Sequence, residues 1–535
     1  MHRAWTIVEV GQWIASAVAE GPSPTKSLFN MARTSHHFFD LAAPLLWREL
    51  RDECTLLNLL NILFDDDDDY EHIITDERQV QRFLKYCQFV RVIDIRWDDD
   101  DVPYLSTRLR IATSLLSDDA AQWFPSLKAL QVACWSEPED LILHAKFIVP
   151  SLRHIKLILP SPESYNRTRT WSLAVDLYLR TLARTAVDLR TFSLSGVTNH
   201  EPLWEPSLRA LIRQLPLTSL RLTTITCTEL IAEEASQKST LEELMLLEVD
   251  AADDFNGPPY CADMPRQCTH VFSALRTFTI AGRPTVILNA LCSIQAPLLK
   301  IEIIVICHHR ERPERVKRHH YKDFANKIGQ RYPCLEEIFI RSPHSRHDNE
   351  EIWVSDFQPL LVCEQMKTFH IERHSGIVVQ HEDIAALARS WQRLRSLKLC
   401  CLPGTVNDGA NGFSWDTLLI LRQYCTTLEH LYITGFHNHP PVPVPPSPPP
   451  ESPVKTLTIL CPPPIVEVES VALFFSLLWP GVQLHTPGGN EWMEVISLLS
   501  FHRHQLQIQA CRGTLASSTE SMNQLLHRVE KQREL

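Results

Sequence analysis

Apolar positions return along this chain in one short pattern, apolar-x-x-apolar-x-apolar. The copies begin VRVIDI at Val90, LKALQV at Leu127, LRHIKL at Leu152, LRTFSL at Leu189 and LTSLRL at Leu217. They continue as LEELML at Leu241, LRTFTI at Leu275, LLKIEI at Leu298 and LEEIFI at Leu335, then MKTFHI at Met366, LRSLKL at Leu394, LEHLYI at Leu428 and VKTLTI at Val454. The intervals run from 23 to 37 residues. Alternation over the last three positions predicts a short strand with one buried face. Helical periodicity fills stretches between copies, as at Leu173–Ala186, Leu208–Leu215, Tyr321–Tyr332, Ile384–Trp391 and Leu418–Cys425. Pro or an aromatic residue often precedes a copy, as in Trp123-Phe124-Pro125-Ser126-Leu127.

A strand and a helix repeated at this interval read as leucine-rich repeats. One unit cannot bury its apolar face alone, so stacked units share a core and build a curved parallel sheet. The expected class is α/β: a helical N-terminal domain, then an irregular solenoid. Regular repeats of this type carry Asn or Cys three residues after the last apolar strand position. None of the thirteen copies does; those places hold residues such as Asp98, Trp135, Pro160 and Val249. A doubly wound α/β domain is the competing architecture.

A second pattern occupies residues 27–50, SLFNMARTSHHFFDLAAPLLWREL. Its apolar spacing suits two short helices with Arg33, Thr34, Ser35 and His36 as a polar joint. A plain helical hairpin would give the same periodicity. The wording ART-x-x-x-F followed by A-x-P-L-L-W-x-x-L resembles the second half of an F-box domain, of the kind common in mushroom-type fungi. Irregular repeats follow F-boxes in many fungal proteins. The resemblance implies three helices over residues 1–55 that dock the Skp adaptor of a cullin–RING ubiquitin ligase. It implies apolar adaptor contacts from Ile7, Val10 and Ile14, with Trp13 nearby, from Leu28, Met31 and Ala32, and from Phe38, Phe39, Leu45 and Leu46. It also implies Trp47 as an anchor against the first repeats. Most F-boxes begin Leu-Pro-x-Glu, whereas this chain has Thr6-Ile7-Val8-Glu9-Val10. Gly11 within that first helix costs about 1 kcal/mol relative to Ala.

Composition narrows the function classes. The formal net charge of −12 disfavours nucleic acid as a partner. Only 15 glycines against 36 prolines leave few phosphate-cradling turns, which weighs against an enzyme. The 15 cysteines follow no framework spacing, and many, such as Cys134, Cys307, Cys400, Cys425 and Cys461, adjoin apolar strands. They read as reduced small hydrophobes of a cytoplasmic or nuclear protein. The sequon at Asn166 is then expected to stay unmodified. No membrane partner is expected, since the longest apolar candidate, Val471–Trp479, stops at Pro480. Glu9 and Gln12 interrupt any signal-like segment at the N-terminus.

Several stretches read as insertions. Asp65–Asp69 and Asp98–Asp101 are acidic runs, Ala252–Thr269 is a loop, and His439–Pro453 is Pro-rich. The organisation is then a helical domain over residues 1–55, a linker over 56–85, an array over 86–485 and a C-terminal helical cap or tail over 486–535. Four His and one Cys cluster over Cys307–His320, but adjacent strand side chains face opposite ways, so no metal is expected there. No cofactor and no catalytic residue is indicated, and G-x-S-x-G, the phosphate loop and H-E-x-x-H are all missing. The outward x positions hold Lys128, Arg153, Lys156, Arg190, Arg221, Arg276, Arg395 and Lys398, all basic, together with the neutral Gln131. They suggest an acidic or phosphorylated protein substrate. The expected function is substrate recognition for an SCF-type ligase, with the Skp adaptor and through it a cullin as partners. The alternative is an interaction scaffold without ligase assembly.

Overall fold

The computed structural model describes residues 8–64, 77–96, 102–115, 123–133, 137–159, 168–196, 203–223, 229–247, 269–306, 317–342, 350–373, 377–401, 413–434, 454–460, 462, 465, 467–487, 489–501 and 503–504. The chain divides into two compact units, Met1–Ala281 with Cys292–Pro297, and Gly282–Leu291 with Leu298–Leu535. Both are α/β and built on parallel strands.

The first unit opens with helices α1 (Val8–Ala19), α2 (Pro24–Ala32) and α3 (His36–Leu46). Its strands are β1 (Glu49–Leu50), β2 (Val92–Arg96), β3 (Ala129–Ala133), β4 (His154–Ile158), β5 (Thr191–Ser195), β6 (Ser219–Thr223), β7 (Glu243–Leu247) and β8 (Thr277–Gly282). Each pairs in parallel with the next along the chain. Helices α4 (Glu53–Leu60), α5 (Glu77–Cys87), α6 (Val102–Leu115), α7 (Pro138–His144), α8 (Thr168–Thr185), α9 (Glu205–Gln214) and α10 (Glu229–Ser236) lie between strands in the chain.

The second unit repeats the plan. Strands β9 (Lys300–Val305), β10 (Glu337–Ser342), β11 (Thr368–Arg373), β12 (Ser396–Cys401), β13 (His430–Ile433), β14 (Thr456–Ile459) and β15 (Gln483–His485) again pair in parallel and in chain order. Helices α12 (Arg318–Arg331), α13 (His381–Ser390), α14 (Trp415–Tyr424) and α15 (Val468–Leu478) belong here, while α11 (Pro284–Ser293) contributes to both units. Within each unit the strand order never reverses, which departs from a doubly wound sheet.

All thirteen six-residue copies carry a strand, β2 to β14, and each strand begins at the third position of its copy. The first and fourth positions are buried in every copy, and so is the sixth wherever its side chain is described. Within each unit the second position ties one copy to the next: its carbonyl accepts two consecutive backbone N–H groups of the following copy. Lys128 N–H and Ala129 N–H both donate to Arg91, at 2.8 and 3.0 Å, and Glu429 N–H and His430 N–H both donate to Arg395, at 2.7 and 2.9 Å. A hydroxyl just ahead of some copies does what a turn Asn would do. Ser151, Thr240 and Thr427 donate to the first-position carbonyls of Leu127, Leu217 and Leu394 at 2.8, 2.7 and 2.9 Å.

Two stretches differ from the expected organisation. Glu49–Leu50 is a strand, so the helical N-terminal domain ends before residue 55 and hands directly into the sheet. Residues 56–85 are no plain linker, because α4 and α5 occupy most of the described part. In α5 the many charges hid the buried stripe of Phe83, Tyr86 and Cys87. The C-terminal segment begins as a helix over 490–501 with Trp492 and Val495 buried. The acidic runs, the Ala252–Thr269 insertion up to Cys268, the Pro-rich stretch and residues 505–535 lie outside the described residues.

Candidate functional site

Two regions present side chains suited to binding. The first is the N-terminal helical group, where α1, α2 and α3 each pack on the other two. Pro24 opens α2 with a φ already suited to a helix, and Ser35 caps α3 by accepting the Phe38 N–H at 3.3 Å. Ala15, Leu28, Ala42 and Ala43 form the small buried centre. A Cβ at Gly11 would stand 2.5 Å from Leu41 Cδ1, so glycine admits the close approach of α1 to α3. That contact offsets its poor helix propensity. On the far side Trp47 stacks on Tyr86 of α5 at 5.2 Å, and Phe39 meets the same ring at 6.1 Å. Trp47 thus ties α3 to α5, the helix just before the first copy.

The expected adaptor contacts divide among three environments. Leu28 is 3% exposed, so it belongs to the core and is not presented, contrary to expectation. The reason is geometric: a nine-residue helix between two others must turn one apolar residue fully inward. Val10, Ile14, Met31, Ala32, Phe38, Leu45 and Leu46 are half-buried, and Ile7 lies outside the described residues. The large apolar residues of this group most open to solvent are Trp13 at 73%, named above only as a neighbour of the contacts, and Phe29 at 55%, which was not singled out. Only the three-dimensional packing separates Phe29 from its neighbour Leu28.

The second region is the outward row of strand positions. In the first unit it includes Lys128, Arg153, Lys156, Arg190, Arg221 and Arg276; in the second it includes Arg395 and Lys398. Three of these are already engaged. Arg221 pairs with Glu243 at 2.9 Å, Lys398 with Glu372 at 2.9 Å, and Arg276 donates to the Pro297 carbonyl at 3.1 Å. Gln131 stands in register beside Lys156. The first unit adds Arg91, readable as the second position of the first copy, and Arg48, which no copy pattern marked.

The second unit pairs its charges within itself. Lys367 meets Glu336 at 2.6 Å, Arg341 meets Glu302 at 3.4 Å, and Lys455 bonds Glu429. Lys455 and Arg395 hold the Glu429 carboxyl below its usual range. His370 is pushed down to about 4, first by burial and then by the neighbouring Lys398 and Arg341. Its ring lies 4.9 Å from Phe339 and bonds Ser396 at 2.7 Å.

Burial makes some described cysteines poor nucleophiles. Burial raises the Cys425 thiol to about 12 and Cys363 to about 11. Among the described residues no group of three or more His, Cys, Asp or Glu is placed to hold a metal, and no helix is long and apolar enough to cross a membrane. Residues 307–316, with most of the His-rich cluster, lie outside the described residues. No family model matches the chain, and no curated protein matches it.

Proposed function

We propose that this chain is the substrate-recognition subunit of an SCF-type ubiquitin ligase. Its N-terminal helices are an F-box that grips the Skp adaptor. Its strand-and-helix copies are irregular leucine-rich repeats that hold a protein substrate. The chain does no chemistry itself. By carrying both grips it raises the substrate's effective concentration near the charged ubiquitin carrier.

The observation that supports this reading most is the pair Trp13 and Phe29. Two large apolar side chains stand in solvent on a small helical group whose own centre is already filled. Exposed aromatic anchors of this kind concentrate binding energy at interfaces. The competing reading, an interaction scaffold without adaptor binding, draws on the missing Leu-Pro start at residues 6–10.

The test is adaptor affinity of the full-length chain by calorimetry. Trp13→Asp/Phe29→Asp is expected to weaken binding by at least about tenfold, with the melting temperature held. Equal affinity in the double variant would remove the assigned contact face.

A further inference from the structure

We infer that Arg48, Arg91, Lys128, Arg153 and Arg190 form a docking strip for an extended acidic segment of a protein partner. The inference rests on the reading that the repeat face holds a protein, and it names that partner's chemistry.

The five residues occupy equivalent places, each immediately before one of the successive strands β1 to β5. Each backbone carbonyl accepts from the next member: Arg91 N–H to Arg48, Lys128 N–H to Arg91, Arg153 N–H to Lys128 and Arg190 N–H to Arg153, all at 2.8 Å. Strand spacing then sets the members about 4.8 Å apart, and the row about 19 Å long. Arg48, Arg153 and Arg190 are exposed, and Arg91 and Lys128 are half-buried. Lys156 and His154 on β4 are exposed beside the row.

Among the described residues, no carboxylate pairs with any of the five. Glu49, the nearest acid in the chain to Arg48, is taken by Arg51 at 2.5 Å. Arg91 gives one N–H to the Ser126 carbonyl at 3.0 Å. The equivalent row of the second unit is built differently. There Glu336, Lys367, Arg395, Glu429 and Lys455 mix signs, and Lys367 and Lys455 each bond a glutamate of the row. Mixing removes a repulsion that neighbouring like charges at about 4.8 Å otherwise bear, about 1 kcal/mol per pair in water. Among the described residues no paired carboxylate offsets that repulsion along the first unit's row, and carboxylates from outside would relieve it.

The dimensions select the ligand. An extended peptide advances about 3.3 Å per residue, so about six residues span the row and about three side chains face it. A run of Asp or Glu supplies a carboxylate at every facing place. A nucleic acid would run well past the row and meet a chain of net charge −12.

The probe is a fluorescent hexaglutamate peptide titrated into the full-length chain at about 50 and about 200 mM salt. Binding is expected that weakens as salt rises. Arg153→Glu/Arg190→Glu is expected to lose about tenfold or more, while the matched reversal Lys322→Glu/Lys327→Glu on α12 binds as the wild type. No binding by the folded wild type at the lower salt overturns the proposal, and so does an equal loss in the α12 variant. An oligothymidylate of equal charge that displaces the peptide and binds more tightly also overturns it. Adaptor affinity, measured in parallel, is expected to be unchanged in Arg153→Glu/Arg190→Glu. A failure of the strip is thereby read separately from a failure of the ligase reading.

Discussion

The Gly196→Ala variant is expected to lose roughly 2–5 kcal/mol of stability. Gly196 directly follows β5 with φ at +105°, a backbone conformation that side chains disfavour. A Cβ there would stand 1.8 Å from the Leu159 carbonyl oxygen, inside any allowed contact. The backbone cannot simply retreat, because Leu159 N–H donates to the Ser195 carbonyl at 2.7 Å and Gly196 N–H donates to the Thr223 carbonyl at 3.3 Å. Three successive copies are thereby pinned at one residue. Urea unfolding gives the loss directly. Gly481→Ala, where a Cβ meets nothing within 4 Å, is the control and is expected to be near neutral. A Gly196→Ala midpoint equal to that of the control would contradict the described turn.

Acid is expected to destabilise the fold through His144. The ring is fully buried on α7, and burial lowers its pKa to about 4, with Asp140 opposing weakly. In the unfolded chain the same group titrates near its ordinary value of about 6.5. The unfolded state therefore takes up the proton first as pH falls. The stability that His144 contributes is fully present above about pH 6.5 and is lost on the way down to about pH 4, about 3 kcal/mol in all. His370 in the second unit shifts in the same direction. Its ring is partly open to solvent, so its share is smaller. Chemical denaturation of the wild type and of His144→Gln between pH 7 and pH 4.5 tests this. The wild-type stability is expected to fall more steeply with acid than that of the variant. Parallel slopes would assign the acid sensitivity elsewhere.

Much of the strand framework was legible because one residue pattern repeats and its buried positions are dictated by the pleat. Each of the thirteen copies became a strand starting at the same place in its pattern. The two end strands were not legible. The residues around Leu50 and Leu484 keep the central apolar position but hold Asp52 and Thr486 where the sixth should be. An end strand buries less of itself, so the pattern relaxes there. Helices α8, α9, α12, α13 and α14 were foreseen, each with a start three to five residues too late. Their first turns are polar or Pro-containing, as in Glu205-Pro206, and periodicity cannot see them. The site was less legible. Basic side chains at outward positions were named together, yet pairing by Glu243 and Glu372 takes two of them out of play. Those acids sit on adjacent strands, a proximity set by register. Arg48 was invisible until β1 placed it beside Arg91.

The central claim is assembly with the adaptor. The full-length chain, mixed with purified Skp adaptor and cullin and passed through size exclusion with light scattering, tests it most directly. A single complex holding one copy of each partner is the predicted result. A folded chain that elutes alone, at its own mass and with the adaptor–cullin pair intact beside it, would contradict the account.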